Sequence, residues 1–297
     1  MSDSSLSKSK AGKPALFESA LSKALCREPK LSKNRLEDEA PSKIARCSIA
    51  ESLLSANTVR LSSKPFALWL DTQFRAPQQQ VDIDELLLES IDNAQHQAVI
   101  RIWSNSPSLV VSRREQHWSG FTAAAKRLKS LGHDMVLRRT GGTAVVHSPQ
   151  VLNFTLCYHL PAASLFSVNA SYRLLNRQLI RFLDSIGIAA TEGEIAGAYC
   201  PGRFDIVSDG RKLAGTAQRV KRMASGQNVL SHLSLNVCNA LSRQDELIDQ
   251  YYADCGQTVE ITPDLTTSVN NLIADEKRYA SGLTLGAQWA DFLTTAQ

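Results

Sequence analysis

The order of apolar and polar positions divides the chain near residue 60. Before it, Ser, Lys and acidic residues mix with short apolar clusters, and Met1–Pro14 is rich in Ser, Lys and Gly. That composition predicts a flexible extension over residues 1–60. Only Ala15–Cys26 has apolar side chains at helical spacing. From Phe66 the pattern becomes dense. FALWLD (66–71) predicts a strand, and Val81–Ala94 a helix with Leu86, Leu87, Ile91 and Ala94 inward. AVIRIW (98–103) and SLVVS (108–112) predict two strands parted by a Ser-Asn-Ser-Pro turn. Trp118–Leu131 follows as a helix, MVLRR (135–139) as a strand, and residues 144–160 as a strand pair bent at Ser148-Pro149.

Val168–Ile186 is a long amphipathic helix that Gly187 closes. Strands are then expected around Phe204–Val207, Leu213–Ala217 and Val229–Val237, and helices through Gln244–Tyr252 and Ser268–Tyr279. Strand pairs broken by helices, without regular strand-helix alternation, predict one α/β (α+β) domain over 61–297: a mixed, largely antiparallel sheet flanked by helices. No internal repeat is present.

Composition narrows the class. The 297 residues are 43% hydrophobic, enough for a large core, and no apolar run reaches the roughly 20 residues of a membrane span. The net charge of +4 resides in residues 1–60, which hold 11 basic and 7 acidic side chains, whereas 61–297 hold 22 of each. A neutral body with a basic tail disfavours nucleic acid as a partner. The six cysteines lie far apart with no C-x-x-C pair, which disfavours metal clusters and a disulfide framework. Isolated thiols and the lack of an apolar leader fit a reducing, cytoplasmic setting, and Asp3 and Glu18 argue against a mitochondrial transit peptide.

P-loop, dinucleotide-fingerprint, nucleophile-elbow and zincin motifs are all missing. Two segments carry chemistry instead. In Leu137–Asn153, Arg138 and Arg139 end a strand, and Gly141-Gly142 lets backbone amides approach a ligand, which suits an anion or a polarised carbonyl. The alternative is a hairpin with solvated arginines, and His147 is equally a ligand contact or a satisfied strand histidine. In Gly193–Arg222, Cys200 precedes Pro201-Gly202 and so sits in a tight turn, with Lys212 across a hairpin. A cation such as Lys212 or Arg203 near that thiol favours the thiolate. The alternative is a half-exposed structural cysteine with a surface lysine.

Taken together, these segments resemble the lipoate-protein ligase A and octanoyltransferase family of the biotin/lipoyl protein ligase fold. The family's R-R-x-x-G-G-x-A-V frame appears as Arg138-Arg139-Thr140-Gly141-Gly142-Thr143-Ala144-Val145, its L-N-F-T stretch as Leu152–Thr155, and its G-R-K-x-x-G stretch as Gly210–Gly215 continuing to Gln218-Arg219. Within the family, Gly193–Asp205 (GEIAGAYCPGRFD) is similar to the cysteine-dependent octanoyl/lipoyl amidotransferase branch. Gly202–Asp205 and Ser231-His232-Leu233 retain traits of the ATP-dependent ligases, and Thr143 stands where a third glycine is frequent.

The resemblance implies an acyltransferase of protein lipoylation. Cys200 would take an octanoyl or lipoyl group as a thioester, and Lys212 would orient the acyl carbonyl and assist proton transfer. Arg138, Arg139, Gly141, Gly142, His147, Asn153, Asp205, Gly215 and Gln218 would bind substrate, with an apolar slot between sheet and helix for the acyl chain. The partners implied are lipoyl-domain carriers, namely the glycine cleavage H protein and 2-oxo acid dehydrogenase E2 subunits, docked by the basic run Arg211, Lys212, Arg219, Lys221 and Arg222. No cofactor is implied for a transferase; the ligase alternative needs ATP and Mg²⁺, and a third possibility is a non-catalytic relative that only binds lipoyl domains.

Overall fold

The computed structural model describes residues 57–61, 64–91, 98–238 and 240–295. The predicted Ala15–Cys26 helix and nearly all of the 1–60 extension lie outside them. Strand β1 (Asn57–Leu61) spans the expected boundary and pairs antiparallel with β2 (Lys64–Asp71), so the sheet begins on the N-terminal side of residue 60.

Eight strands form the main sheet. After β2 come helix α1 (Pro77–Ser90) and β3 (Ala98–Trp103), then, past a small second sheet, β7 (Val151–Pro161). Helix α3 (Val168–Ser185) leads to β8 (Thr191–Glu192), β9 (Ile206–Ser208), β10 (Arg211–Met223) and β11 (Gly226–Asn236). The spatial order is β1-β2-β3-β7-β11-β10-β9-β8, antiparallel throughout except for β2 on β3. The second sheet has β4 (Ser108–Ser112) between β5 (Asp134–Arg138) and β6 (Val145–His147), with α2 (Phe121–Ser130) linking β4 to its parallel neighbour β5. Helix α4 (Leu241–Asp254) packs on this smaller sheet, and α5 (Gly282–Thr295) ends the described chain.

Strand alternation sorts the core into two faces. Leu152, Phe154, Leu156 and Tyr158 of β7 join Leu175, Leu179 and Phe182 of α3 and Trp289 of α5 on one side, where Trp289 stacks on Phe154 and Phe182. Leu86, Leu87 and Ile91 of the α1 segment, as their spacing predicts, meet Trp69, Val99, Cys157 and Leu230 on the other, while Ala94 lies outside the described residues. Helix α3 ends in two bonds, Ile188 N–H to Leu183 O and Gly187 N–H to Asp184 O, with Gly187 at φ 86°. This is the Schellman closure that glycine makes easy.

Ser268–Tyr279 departs from its predicted helix and forms two short 3-10 turns (Val269–Asn271 and Asp275–Lys277). The Asn270 side chain bonds both the N–H and the C=O of Tyr279, tying the segment into a loop that competes with helical bonding. The last helix is instead Gly282–Thr295. Its glycines allow contact with the sheet: a Cβ on Gly282 would lie 2.8 Å from Val151 O, and one on Gly286 2.8 Å from an Ile102 methyl.

Arg101 interrupts the apolar β3 and is wholly buried. Its guanidinium bonds Asp71 at 2.8 Å and Asp84 at 2.9 Å and lies 4.4 Å from the Trp103 ring centroid. Loss of one partner from such a pair strands the other charge in the core. Arg101→Met is therefore expected to lower unfolding free energy by about 3–5 kcal/mol, read from urea denaturation. Lys129→Met, which breaks an exposed pair with Asp134, should change it by about 0.5 kcal/mol or less.

Candidate active site

The loop between β8 and β9 carries Cys200, a non-glycine residue at φ 42°. A left-handed cysteine is uncommon, and its neighbours account for it. Lys212, at the start of β10, is fully buried, and its ammonium donates to Tyr199 O at 2.9 Å and Cys200 O at 2.5 Å while pairing with Asp205 at 2.8 Å. Those three acceptors match the three N–H bonds of an ammonium. The ammonium also lies 4.7 Å from the Tyr199 ring centroid. Asp205 in turn accepts from Gly202 N–H at 2.9 Å and Thr216 N–H at 3.1 Å. Burial pushes the Asp205 pKa up, against the opposing pull of the Lys212 charge. A Cβ on Gly215 would come within 3.3 Å of the Lys212 ammonium, so the glycine leaves room for the lysine. On the other side of Lys212, its N–H and C=O bond Leu265 O and Thr267 N–H.

The thiol faces the first motif. Thr143 N–H donates to Cys200 Sγ at 3.2 Å, and Arg138 Nη2 lies 4.0 Å from the same sulfur while donating to Thr143 O at 2.6 Å. Gly142 has φ 100°, and a Cβ there would fall 2.7 Å from Arg138 Nη2 and 3.0 Å from the sulfur. Its side chain is excluded for both reasons. An N–H aimed at a half-exposed sulfur stabilises negative charge on it.

Beside the thiol, Arg138 also borders a cleft between α1 and the sheets, lined by Val81, Asp84, Glu85, Trp103, Val110, Arg139, Thr140, His147, Leu230 and His232. Its lining combines the apolar Val81, Trp103, Val110 and Leu230 with a charged wall of Asp84, Glu85, Arg138 and Arg139. The charged wall is ordered from within: Thr155 Oγ1 donates to Asp84 at 2.7 Å, and His232 Nδ1 stands 3.4 Å from the same carboxylate. Burial works to raise the Asp84 pKa, but bonding to His232 and the Arg101 charge hold it below the usual carboxylate range. Ser234 links His232 (3.2 Å), His147 (3.1 Å) and the Asn153 carbonyl (2.7 Å). Burial, with the charges of His232 and Arg138, depresses the His147 pKa well below that of a free histidine, so the ring is neutral.

Of the residues singled out in the sequence, Gly142 and Arg138 meet the Cys200 sulfur, whereas Lys212, with Asp205 and Gly215 around its ammonium, holds the Cys200 carbonyl. Arg139 and His147 line the cleft. Gly141 is exposed with nothing near its Cα face, Asn153 lies behind the cleft, and Gln218 bonds Ser231 at 3.0 Å within the sheet, away from the sulfur. Thr143 meets the sulfur through its backbone. The basic run is largely neutralised: Lys212 is buried, Arg211 pairs with Asp209, Arg219 with Glu85 and Lys221 with Glu89. Asp84, Trp103 and Tyr252 were not anticipated. The signal for Asp84 was present, a carboxylate among the inward positions of α1; Trp103 and Tyr252 read as ordinary core aromatics.

A half-exposed cysteine held by a backbone amide and braced by a buried ion pair, at the edge of a cleft in a mostly antiparallel sheet, defines an α/β domain with a cradled-thiol centre. The chain belongs to the lipoyl protein ligase A/B catalytic domain family, whose profile matches residues 76–277. It is 30% identical over 191 residues to the octanoyl-[GcvH]:protein N-octanoyltransferase of Geobacillus kaustophilus, covering 63% of this chain and 65% of that one. A protein of the same name from Kyrpidia tusciae is 37% identical over 121 residues, 41% of each chain. The chain thus spans under two thirds of the length of these relatives. The fold is similar to protein Ta0514 of T. acidophilum, solved with bound lipoic acid, with a TM-score of 0.52 at 16% identity over 75% of this chain and 84% of that one. No helix of the described residues is long and apolar enough to cross a membrane.

The Lys212–Asp205 pair yields a stability test. Lys212→Met leaves the Asp205 carboxylate buried without its cation, and unfolding free energy should fall by about 3–5 kcal/mol. The double variant Lys212→Met with Asp205→Leu removes both charges and should recover part of that loss in urea denaturation. Additive losses would mean the pair is not a coupled unit.

Proposed function

We propose that the chain is an acyltransferase of protein lipoylation that carries an octanoyl group on Cys200 between two carrier proteins. The contact of the Thr143 N–H with the Cys200 sulfur is the observation that carries this reading. In the first step the Cys200 sulfur attacks the carbonyl of an octanoyl amide on a donor lysine. The C–S bond forms, the C–N bond breaks, and the thiol proton leaves with the lysine as a neutral amine. In the second step the amine of an acceptor lysine attacks the thioester, the C–S bond breaks, and the sulfur regains a proton as the new amide forms. Sulfur is nucleophile in one step and leaving group in the other, so the Thr143 amide and the Arg138 cation favour both by stabilising its anion.

Lys212 acts chiefly by fixing the left-handed turn, since its three donors are taken by Tyr199, Cys200 and Asp205. The acyl chain runs along Val81, Trp103, Val110 and Leu230, where each buried methylene contributes about 0.8 kcal/mol. Lipoyl-domain carriers, the glycine cleavage H protein and 2-oxo acid dehydrogenase E2 subunits, are the donor and acceptor; the relatives' name supports the first of these. The reaction so written uses no ATP.

Incubation with an octanoylated H-type carrier in the absence of ATP should give an octanoyl adduct on Cys200 in the intact mass spectrum. An adduct or transferred group that appears only with ATP and Mg²⁺ would replace the transferase by a ligase. Cys200→Ser should lower transfer by at least about a thousandfold with the circular dichroism spectrum unchanged, because the turn keeps its shape while a serine hydroxyl is scarcely ionised near neutral pH.

A further inference from the structure

The thiol's amide contact belongs to an exposed glycine-rich loop, and Gly141, Gly142 and Thr143 have little packing of their own. Besides the Arg138 bond to Thr143 O, that loop is held from α4, outside every motif recognised in the sequence. Tyr252 is 2% exposed, and its hydroxyl oxygen accepts the Ala144 N–H at 2.8 Å. The same phenol interacts with the Thr143 side chain. Its ring packs against Trp118, at 5.8 Å between centroids, and against Tyr251, at 5.1 Å. Tyr251 is itself anchored through its hydroxyl to buried Glu115 at 2.8 Å, and Glu115 closes the capping box of the turn after β4. A phenol with so little freedom is a rigid peg for the peptide it holds.

We propose that Tyr252 is a positioning residue for Cys200: by gripping Ala144 N–H and the Thr143 side chain, it keeps the Thr143 N–H on the sulfur. The inference deepens the acyl-transfer reading and rests on it for the identity of the reaction, but the geometry it describes concerns the reactivity of the thiol itself. Buried Ala144 N–H has Tyr252 as its acceptor, and removal of that acceptor leaves an unsatisfied donor that the loop can relieve only by moving. Movement of the Thr143–Ala144 peptides withdraws the amide from the sulfur.

Tyr252→Phe keeps the ring and removes only the hydroxyl. Two readouts are made on the full chain: the alkylation rate of Cys200 by iodoacetamide, located by peptide mass spectrometry, and single-turnover octanoyl transfer against carrier concentration. The alkylation rate and the maximal transfer rate should each fall about tenfold, while the carrier concentration at half-maximal rate stays within twofold. Tyr158→Phe removes a buried hydroxyl from the main sheet, bonded to Ser171 at 2.9 Å, and should leave both rates within about twofold. Thr143→Val, at an exposed position, probes the same grip without disturbing the α4 core and should lower both rates about threefold. Tyr252→Phe behaving like Tyr158→Phe, or Thr143→Val behaving like wild type, would overturn the proposal. If wild-type Cys200 alkylates but never accepts an octanoyl group, the functional reading fails while the alkylation series still judges Tyr252.

Discussion

A buried ammonium is the constraint on which the centre depends. Lys212 lies at the start of β10, an interior strand of the main sheet, with no exposed surface, and a lone charge there would be untenable. It is stabilised only if its three donors find oxygen, and the oxygens available are the carbonyls of Tyr199 and Cys200 and the carboxylate of Asp205. To present two successive carbonyls to one ammonium, the chain bends sharply, and the bend puts Cys200 in a left-handed conformation. The strained cysteine and the buried ion pair are therefore one arrangement. Each makes the other tolerable, and Gly215 supplies the space in which the lysine reaches them.

A second buried charge system, centred on Arg101, shapes the cleft. Asp84 answers both to Arg101 behind it and to His232 beside it, while Thr155 donates to it from the sheet. The order is sequential: an arginine between two tryptophans fixes the carboxylate, the carboxylate fixes a histidine, and Ser234 couples that histidine to neutral His147. Arg138 is the element common to both halves, with one face to the cleft and one nitrogen near the sulfur. An anionic or strongly polarised group moving from cleft to thiol meets the same guanidinium throughout.

Periodicity was a good guide to nearly every element, because most strands and helices here bury one face and obey their repeat. It misled at Ser268–Tyr279, where apolar spacing is helical but Asn270 captures the far end of the segment through side-chain bonds that no repeat encodes. Gly282–Thr295 shows the converse, a helix whose two glycines lower its intrinsic propensity but set its distance from β3 and β7. At the site, residue identity and spacing pointed to the thiol, the lysine and the glycine pair. They gave no access to what each atom faces, so Lys212 reads as a free charge in the sequence and as a fully bonded one in the fold. Arg219 and Lys221 show the same limit, since their partners Glu85 and Glu89 lie on a helix more than a hundred residues earlier.

The centre exists only through the meeting of three segments that are unrelated in sequence. The β5–β6 loop brings an amide, the β8–β9 loop brings a sulfur, and α4 brings a phenol that holds the amide's neighbour. Neither loop has a regular element of its own at this point, so each is ordered by bonds to something outside it: the sulfur's loop by Lys212, the amide's loop by Tyr252. The two anchors differ in kind. A buried ion pair is intolerant of losing one partner, whereas a neutral hydroxyl-to-amide bond can be given up at modest cost. Changes at Lys212 or Asp205 therefore act first on the fold of the loop. Changes at Tyr252 act first on where one N–H points, and so bear more directly on the chemistry of the thiol than on the survival of the domain.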